Sequence, residues 1–248
     1  MAFNLFRAIL VLIHVIYDVY CEARRALRCA RQHLEDYFFS PRGLEAEIEY
    51  VRQERKVLDK PLSHLAVILG PEVVSVRDVV RLALWCHAAG ATYVSFYDPS
   101  GQLKKNKFAL DDALISACKV KSHIPKTNGY INGYAGKQFP HIMLLDISDG
   151  KPGIVRVAKQ ICEEVLSKEL SPNEVDLELF SKYVMKESGV PEPELAFYCG
   201  DIFSLYGFLP WHSRVTEFLP LHSHHNVSVL NFVTLLRRYN RCEQRLGT

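Results

Sequence analysis

The spacing of apolar and polar positions changes several times along the chain, and the first segment is the most apolar. In residues 3–20, Arg7, His14 and Asp18 are spaced by seven and four, so they share one stripe of a helix. The segment is near the lower length limit for a membrane span. A short span with a polar stripe, an amphipathic helix in the membrane interface and a soluble packing helix all fit this pattern. We predict a membrane-anchoring helix over residues 1–20.

A charged helical pattern follows. It continues to about residue 39, is broken by the sequence PRG at 41–43, and resumes as a second charged helix to about residue 59. Residues 21–60 are therefore predicted to be a helical connector. Four arginines come directly after the apolar segment: Arg24, Arg25, Arg28 and Arg31. By the positive-inside rule, they would keep the rest of the chain in the cytosol.

From residue 61 the pattern becomes that of an α/β domain. Short apolar runs predict buried strands at 63–69, 91–98, 141–146 and 194–200. Helical spacing predicts helices at 75–89, 107–119, 153–170, 175–188 and 227–239. A strand, a helix that stops at Gly90 and a second strand form a βαβ unit, so we predict a mostly parallel central sheet flanked by helices over residues 61–248. Two Asn-Gly-Tyr triplets at 128–134 predict a turn-rich loop.

Composition excludes several classes of function. The net charge is only +2, and no basic stripe with interleaved aromatic residues lies outside the two ends, so nucleic acid is not a predicted partner. The seven cysteines are scattered singly, without a C-x-x-C pair. This pattern gives neither a zinc site nor a disulfide framework, and the odd number is typical of a reducing compartment.

Positive charge gathers in the last segment, NRCEQRLGT. Arg245, Leu246 and Gly247 form an Arg-x-Gly triplet there, preceded by further arginines and opposed locally only by Glu243. An arginine offers a planar fork to phosphate or carboxylate, and a glycine lets the backbone approach an anion closely. These residues fit an anion-binding tail, or equally an arginine that solvates the last turn of a helix.

Three separated blocks carry a resemblance to a known family. HLAVIL, LWCHAAGATYVSFYD and GFLPWHSRVTEF follow, in order and spacing, the pattern of cis-prenyltransferases. The resemblance covers roughly residues 60–248. With its tail, RRYNRCEQRLG, the chain is most similar to the accessory subunits of dehydrodolichyl diphosphate synthase within that family.

The chain also departs from the catalytic members of the family. Those members place an Asp directly after the first strand, where it holds Mg²⁺ on the allylic diphosphate, whereas here the strand runs into Gly70 and Pro71. They also follow the fourth strand with an Arg-Thr-Ser-Gly-Glu type loop that grips the diphosphate. Here residues 198–203 contain no arginine, and none follows until Arg214. The resemblance therefore implies a non-catalytic subunit, with Mg²⁺ bound mainly by a catalytic partner.

The resemblance assigns roles to particular residues. Arg245, as the catalytic contribution of this chain, would cross the dimer interface with Leu246 and Gly247 and contact the diphosphate of isopentenyl diphosphate in the partner's active site. A second set would lie at the subunit interface: Trp211, His212 and Glu217. No metal ligand is predicted in this chain. His222, His224 and His225 have no cysteine or carboxylate nearby in the sequence, and we predict that they lie in a solvated loop.

The implied function is that of a required subunit of a heteromeric cis-prenyltransferase. The complex would condense isopentenyl diphosphate onto farnesyl diphosphate, giving the long-chain polyprenyl diphosphate precursor for dolichol synthesis and protein glycosylation. It would sit on the endoplasmic reticulum membrane with the catalytic-like domain facing the cytosol. Two rival functions are a self-sufficient homodimeric synthase and a membrane receptor or scaffold for ligand binding or sterol trafficking. Gly70, which stands where catalytic members have an Asp, argues against the homodimeric synthase.

Overall fold

The computed structural model describes residues 2–119 and 140–243. The chain divides into two compact units, one ending at Arg42 and the other beginning at Gly43. The loop predicted around the Asn-Gly-Tyr triplets lies outside the described residues.

The elements of the second unit follow the predicted α/β order. The described strands are β1 (His64–Ile68), β2 (Tyr93–Tyr97), β3 (His141–Leu145), β4 (Leu195–Cys199) and β5 (Glu217–His222). The helices of both units are α1 (Ala2–Phe39), α2 (Leu44–Arg55), α3 (Val76–Ala88), α4 (Gln102–Lys105), α5 (Lys107–Lys119), α6 (Lys151–Leu166), α7 (Leu177–Ser188) and α8 (Val229–Arg241). Four strands and five helices lie where the apolar spacing predicts them, and α4 and β5 are additional.

The five strands form one parallel sheet in the order β3-β2-β1-β4-β5. This result confirms the predicted parallel α/β architecture. The chain winds outward from β1 to β3 in one direction and then returns to β4 and β5 on the other side. The order reverses beside β1, and ligands of such sheets bind at the carboxyl ends of the strands near such a reversal.

The edge strand β5 was not predicted from the sequence. Its run EFLPLH contains Pro220, which has no N–H for a sheet ladder and lowers the expectation of a strand. Because β5 pairs only with β4, it lies at an edge, where a proline is tolerated. The pairing shifts register between Tyr198 and Cys199, the residues of β4 nearest to this proline.

The core fills both faces of the sheet. Strand β1 is buried along its whole length, and its side chains alternate between two apolar clusters. On one face, the Phe232 ring of α8 packs 5.4 Å from Trp85 of α3 and 5.7 Å from Phe197 of β4, measured between ring centroids. On the other face, Tyr97 packs edge-on against Phe208. Burial on both faces explains why the strands are continuous apolar runs.

Helix α2 belongs to the α/β unit, which is a difference from the predicted connector over residues 21–60. Its residues Ile48 and Val51 are buried in the core, and Arg81 of α3 donates two hydrogen bonds to the carboxylate of Glu47. The helix is polar in sequence because it covers the core with only a narrow apolar stripe. The domain therefore begins at Gly43, the point at which the helical pattern is broken.

Helix α1 forms the first unit and is continuous over 38 residues. Large apolar side chains along it are exposed, including Phe6, Ile13 and Tyr17, at 56–70% of their full accessible surface. Nδ1 of His14 lies 2.8 Å from the carbonyl oxygen of Leu10, one turn earlier. Within the described part of the chain, no helix combines the length and apolar character required to cross a membrane.

Candidate functional site

The carboxyl end of β1 leads into a position that admits no side chain. Gly70 has a φ of +69°, and a Cβ built there would lie 2.8 Å from the carbonyl oxygen of Cys199. The Tyr206 ring would be 3.5 Å from the same atom. Backbone from β4 and an aromatic ring thus occupy the space that a carboxylate would need. The residues at this position do not fit a Mg²⁺ site, whose ligands are oxygen atoms with room to converge on the ion.

The segment after β4 is held firmly over this end of the sheet. The Tyr97 hydroxyl donates a 2.7 Å hydrogen bond to the carbonyl of Tyr206. Gly207, with a φ of +87°, follows, and its carbonyl oxygen would lie 2.2 Å from a Cβ on Gly150, at the start of α6. Close backbone contact of this kind allows only glycine at position 150. The segment is therefore fixed by contacts with β2 and with the start of α6.

Aromatic rather than cationic side chains line this segment. The Phe203 ring packs 5.0 Å from Tyr198 and 5.7 Å from Phe218 between centroids. Ile202 beside it is 79% exposed. Apolar side chains cannot donate hydrogen bonds to a diphosphate. Binding of its negative charge requires donors such as arginine or lysine.

Glu72, two residues beyond Gly70, is engaged by internal partners. Its Oε2 accepts a 2.7 Å hydrogen bond from the Ser223 hydroxyl and lies 3.3 Å from Nδ1 of His224. His225 is close enough for the three side chains to reach one ion. No carboxylate is near these histidines in the sequence, but the fold brings Glu72, which is distant in the sequence, next to them.

The surroundings of His224 also differ from a solvated loop, because the side chain is fully buried. Burial and the neighbouring His225 lower the pKa of His224, so the ring is neutral at physiological pH. Its Nε2 accepts a 3.2 Å hydrogen bond from the Ser75 amide, so the ring proton sits on Nδ1, the nitrogen facing Glu72. With Nε2 occupied and Nδ1 protonated, His224 has no lone pair to offer a metal. The Ser223–Glu72 and Ser75–His224 hydrogen bonds fasten the loop after β5 to the loop after β1.

Carboxylates after β2 and β3 are likewise engaged. Asp98 is buried and accepts hydrogen bonds from the amides of Ser100 and Leu103. The Lys104 ammonium bridges Asp146 and Asp149. These carboxylates stabilise the loops through internal hydrogen bonds and ion pairs. Burial, with added repulsion from Asp146, raises the pKa of Tyr97 to about 12, which keeps it a hydrogen-bond donor.

Two of the residues predicted at the subunit interface pack against α7. The Trp211 ring lies 5.0 Å from Phe180, and its Nε1 donates to the Ser181 hydroxyl. His212 is buried, with Nε2 2.8 Å from the Ser188 hydroxyl oxygen. Both line a cavity of about 20 Å³. This volume holds one or two water molecules and is far below the roughly 300 Å³ of a small-molecule pocket.

Glu217 faces a different part of the molecule, the end of α8. Burial raises the pKa of the Cys242 thiol, and the charge and hydrogen bonding of Glu217 raise it further. Glu217 therefore lies against the residue from which the tail continues. The three residues predicted to form an interface thus contact two different regions, α7 and the end of α8.

The predicted anion-binding residues Arg245, Leu246 and Gly247 lie outside the described residues. One of the arginines before them, Arg237, is paired with an acidic residue. Arg237 donates two hydrogen bonds to the Glu54 carboxylate of α2, at 3.0 and 2.6 Å. The positive charge of α8 is therefore partly neutralised by a residue distant in sequence.

Tyr206 and Glu72 are the site residues that sequence reasoning missed. A positive-φ Tyr followed by a positive-φ Gly has no sequence signature beyond the glycine itself. Glu72 carried a weak signal, because a carboxylate within two residues of a buried strand's carboxyl end lies where such sheets bind ligands.

Curated relatives match most of the chain. A protein of Homo sapiens named dehydrodolichyl diphosphate synthase complex subunit NUS1 is 31% identical over 207 residues, covering 79% of this chain and 70% of that protein. The subunit of the same name from Schizosaccharomyces pombe is 26% identical over 212 residues, covering 80% of this chain and 82% of that protein. No protein-family model matches the chain.

The fold is similar to that of a solved structure with much lower sequence identity. Lavandulyl diphosphate synthase from Lavandula x intermedia, crystallised in complex with dimethylallyl diphosphate, superposes with a TM-score of 0.54 at 16% identity. The match covers 75% of this chain and 98% of that chain. At this identity the likeness establishes the shared fold.

Proposed function

The chain belongs to the family of NUS1 subunits of dehydrodolichyl diphosphate synthase complexes, and from that premise we propose that it is the non-catalytic subunit of such a complex. Its partner is the catalytic cis-prenyltransferase subunit, which binds Mg²⁺ and farnesyl diphosphate. The complex adds isopentenyl diphosphate units to make the long polyprenyl diphosphate used in dolichol synthesis and protein glycosylation.

The observation that carries the non-catalytic role is the closed position at Gly70. Ionising an allylic diphosphate requires compensation of several negative charges by cations held in place. Here the backbone of Cys199 and the ring of Tyr206 occupy the position after β1, and an apolar segment replaces a cationic loop after β4. Adding one carboxylate would not restore such a site, because no space exists for it.

Reconstitution tests the proposed division of labour. The purified chain, the catalytic subunit and the two together are each supplied with Mg²⁺, farnesyl diphosphate and labelled isopentenyl diphosphate. We expect no incorporation by this chain alone and full incorporation only by the complex. Turnover by this chain free of any partner would overturn the proposal.

We further propose that the tail of this chain completes the partner's isopentenyl diphosphate site through Arg245, with Leu246 and Gly247. A charge-assisted, two-pronged contact from an arginine to a transferring substrate is worth more than the ~1.4 kcal/mol that corresponds to a factor of ten in rate. Arg245→Ala should therefore reduce the turnover of the complex at least about tenfold, without loss of partner binding.

Two comparisons sharpen this test. Arg245→Lys should restore activity only in part, because a point charge cannot reproduce a planar fork. Arg238→Ala, on the exposed side of α8, is the matched control and should leave activity nearly unchanged. Full activity of Arg245→Ala in an intact complex would show that the tail has no part in substrate binding.

A further inference from the structure

The end of α8 is fastened to the segment that leads into β1. The Lys60 ammonium donates a 3.2 Å hydrogen bond to the carbonyl of Cys242 and lies 4.1 Å from the centroid of the Tyr239 ring. The Lys60 amide donates a 2.9 Å hydrogen bond to Oδ1 of Asn240, and the Tyr239 hydroxyl donates to the carbonyl of Pro61 at 3.1 Å. We refer to Lys60, Pro61, Tyr239, Asn240 and Cys242 as the tail clasp.

The clasp acts where α8 stops. Cys242 has extended backbone angles, and its amide donates to the carbonyl of Tyr239 in the last turn. Carbonyl groups at a helix end lack intrahelical donors and carry partial negative charge, which a nearby ammonium complements. The half-buried Lys60 supplies this charge and a hydrogen bond to the first carbonyl beyond the helix.

Contacts other than the Lys60 ammonium hold α8 in place. The helix is held to the sheet by buried residues along its length, among them Phe232, Val233 and Leu236. The backbone hydrogen bond from Lys60 to Asn240 and the bond from Tyr239 to Pro61 need no lysine side chain. The ammonium of Lys60 therefore fixes mainly Cys242.

The position of Cys242 limits where Arg245 can reach. Three residues of fully extended chain span at most about 10 Å. A displaced or mobile Cys242 would move the whole region accessible to the Arg245 guanidinium, and ordering a free segment at each binding event costs conformational entropy. Glu217, which the family resemblance places at the subunit interface, lies against this same residue.

We infer that Lys60 is a positioning residue for the tail: it holds Cys242 so that Arg245 meets the diphosphate of isopentenyl diphosphate in the partner's active site. This inference rests on the proposed function of the tail. Lys60 itself contacts no substrate.

The test is a double-mutant cycle in the reconstituted complex. Lys60→Met removes the charge and keeps much of the chain length. It should raise the KM for isopentenyl diphosphate about five- to tenfold, with kcat, the KM for farnesyl diphosphate and the melting temperature nearly unchanged. In a complex that already carries Arg245→Ala, Lys60→Met should have no further effect, because the clasp acts only through that arginine.

Controls and a second variant separate the outcomes. Lys56→Met, an exposed lysine four residues earlier, should behave as the unaltered complex, and Lys60→Arg should recover most of the affinity. Asn240→Ala removes the hydrogen bond from the Lys60 amide but keeps the lysine side chain, and it should raise the same KM. If Lys60→Met weakens folding or subunit binding, a double-mutant cycle of Asn240→Ala with Arg245→Ala tests whether the clasp acts through Arg245.

The two proposals fail in different ways. An unaffected Arg245→Ala complex would remove the proposed role of the tail, whatever Lys60 does. An impaired Arg245→Ala complex with normal Lys60→Met and Asn240→Ala kinetics would overturn the clasp alone. Additive losses in the double variant would also overturn it, since Lys60 would then act by another route.

Discussion

Two constraints act on Gly70: its backbone is left-handed, and its surroundings leave no space for a Cβ atom. Its φ of +69° costs an L-residue roughly 1–2 kcal/mol. The approach of the Cys199 carbonyl to 2.8 Å from a Cβ adds a steric conflict with backbone that cannot rotate away. We therefore expect Gly70→Ala to lower the free energy of unfolding by more than about 2 kcal/mol, measured by urea denaturation.

Gly189 provides the matched control for this prediction. Its φ of +62° is similar, but no neighbouring atom lies within 4 Å of the point that a Cβ would occupy. Gly189→Ala should show only the backbone cost, about 1 kcal/mol. Equal losses in the two variants would contradict the argument that the end of β1 is sterically closed. Gly70→Asp should likewise destabilise the chain and should not confer activity.

His64 links stability to pH. In the neutral ring, Nδ1 donates to the Pro191 carbonyl and Nε2 accepts from the Ser95 hydroxyl, so both nitrogens are paired. Burial lowers the pKa of His64 from 6.5 to about 4. The unfolded chain then binds more protons than the folded chain between these values, so stability is complete above about pH 6.5 and falls as the pH drops toward 4.

The expected loss between about pH 7.5 and about pH 5 is about 2 kcal/mol from this residue. Urea denaturation at the two pH values measures it. Burial also lowers the pKa values of His212 and His224, so they contribute in the same direction. In His64→Gln the loss should shrink by about the same 2 kcal/mol, whereas the exposed His141→Gln should keep the full pH dependence. An unchanged loss in His64→Gln would assign the effect to other groups.

At the level of elements, buried strands were the easiest to predict. A parallel strand covered on both faces is a mostly apolar run, as β1, β2 and β4 show, whereas β3 lies at the other edge of the sheet and is only partly buried. The sequence does not predict the edge strand β5, because Pro220 lacks the N–H that a strand inside a sheet requires. The sheet order shows that β5 lies at an edge, where a proline is tolerated. Helix α2 was assigned to a connector because its buried apolar stripe, Ile48 and Val51, is too narrow to stand out among the charged residues of the helix.

The candidate site was less predictable than the fold. The sequence identified Gly70 and the lack of an arginine after β4 through a family resemblance. It could not show that Tyr206 fills the space, nor that Glu72 meets His224. Such contacts join residues that are far apart in the chain, and the spacing of apolar and polar residues along the sequence does not predict them.

Helix α1 presents apolar side chains to solvent along much of its length, and water disfavours such surface. We predict that the chain binds phospholipid vesicles through this helix. Replacing Ile9, Ile13 and Ile16 with Glu should lower the vesicle partition coefficient at least about a hundredfold, because burying each such side chain is worth roughly 1.5–3 kcal/mol. Vesicle cosedimentation measures the change.

A matched triple variant shows whether the effect belongs to α1. Val73, Phe108 and Leu166 are exposed apolar residues of the second unit. Replacing these three with Glu adds the same charge and should leave cosedimentation unchanged. Loss of binding in this control, or binding that survives the α1 variant, would show that the helix does not hold the chain at the membrane.

For the whole molecule, the proposed membrane attachment and the proposed subunit assembly would together define where the chemistry occurs. The product of the proposed complex carries a long apolar chain that partitions into a bilayer. A subunit that brings both a membrane-binding helix and a substrate-binding tail would keep the catalytic partner beside that bilayer. The proposed arrangement requires the α/β unit and the partner to share one side of the membrane.

We predict that this side is the cytosol. Arg24, Arg25, Arg28 and Arg31 follow the apolar segment, and the described cysteines Cys21, Cys86, Cys162, Cys199 and Cys242 are free thiols. Both features favour the reducing cytosol over the lumen of the endoplasmic reticulum. Protease added to intact microsomes should therefore digest the α/β unit, while a resident luminal protein stays protected.

Asn226-Val227-Ser228 matches the N-glycosylation sequon and gives an independent test of the same topology. The Asn226 side chain is exposed, in a loop with a φ of +47°, so the acceptor would be accessible to the glycosylation machinery if the unit faced the lumen. We expect no shift in electrophoretic mobility after endoglycosidase treatment, and none in Asn226→Gln. Replacing the four arginines with Gln weakens the orientation signal and should allow a protected, glycosylated fraction to appear. A glycosylated Asn226 in the unaltered chain would place the unit in the lumen, apart from a cytosolic partner, and the proposed assembly could not form.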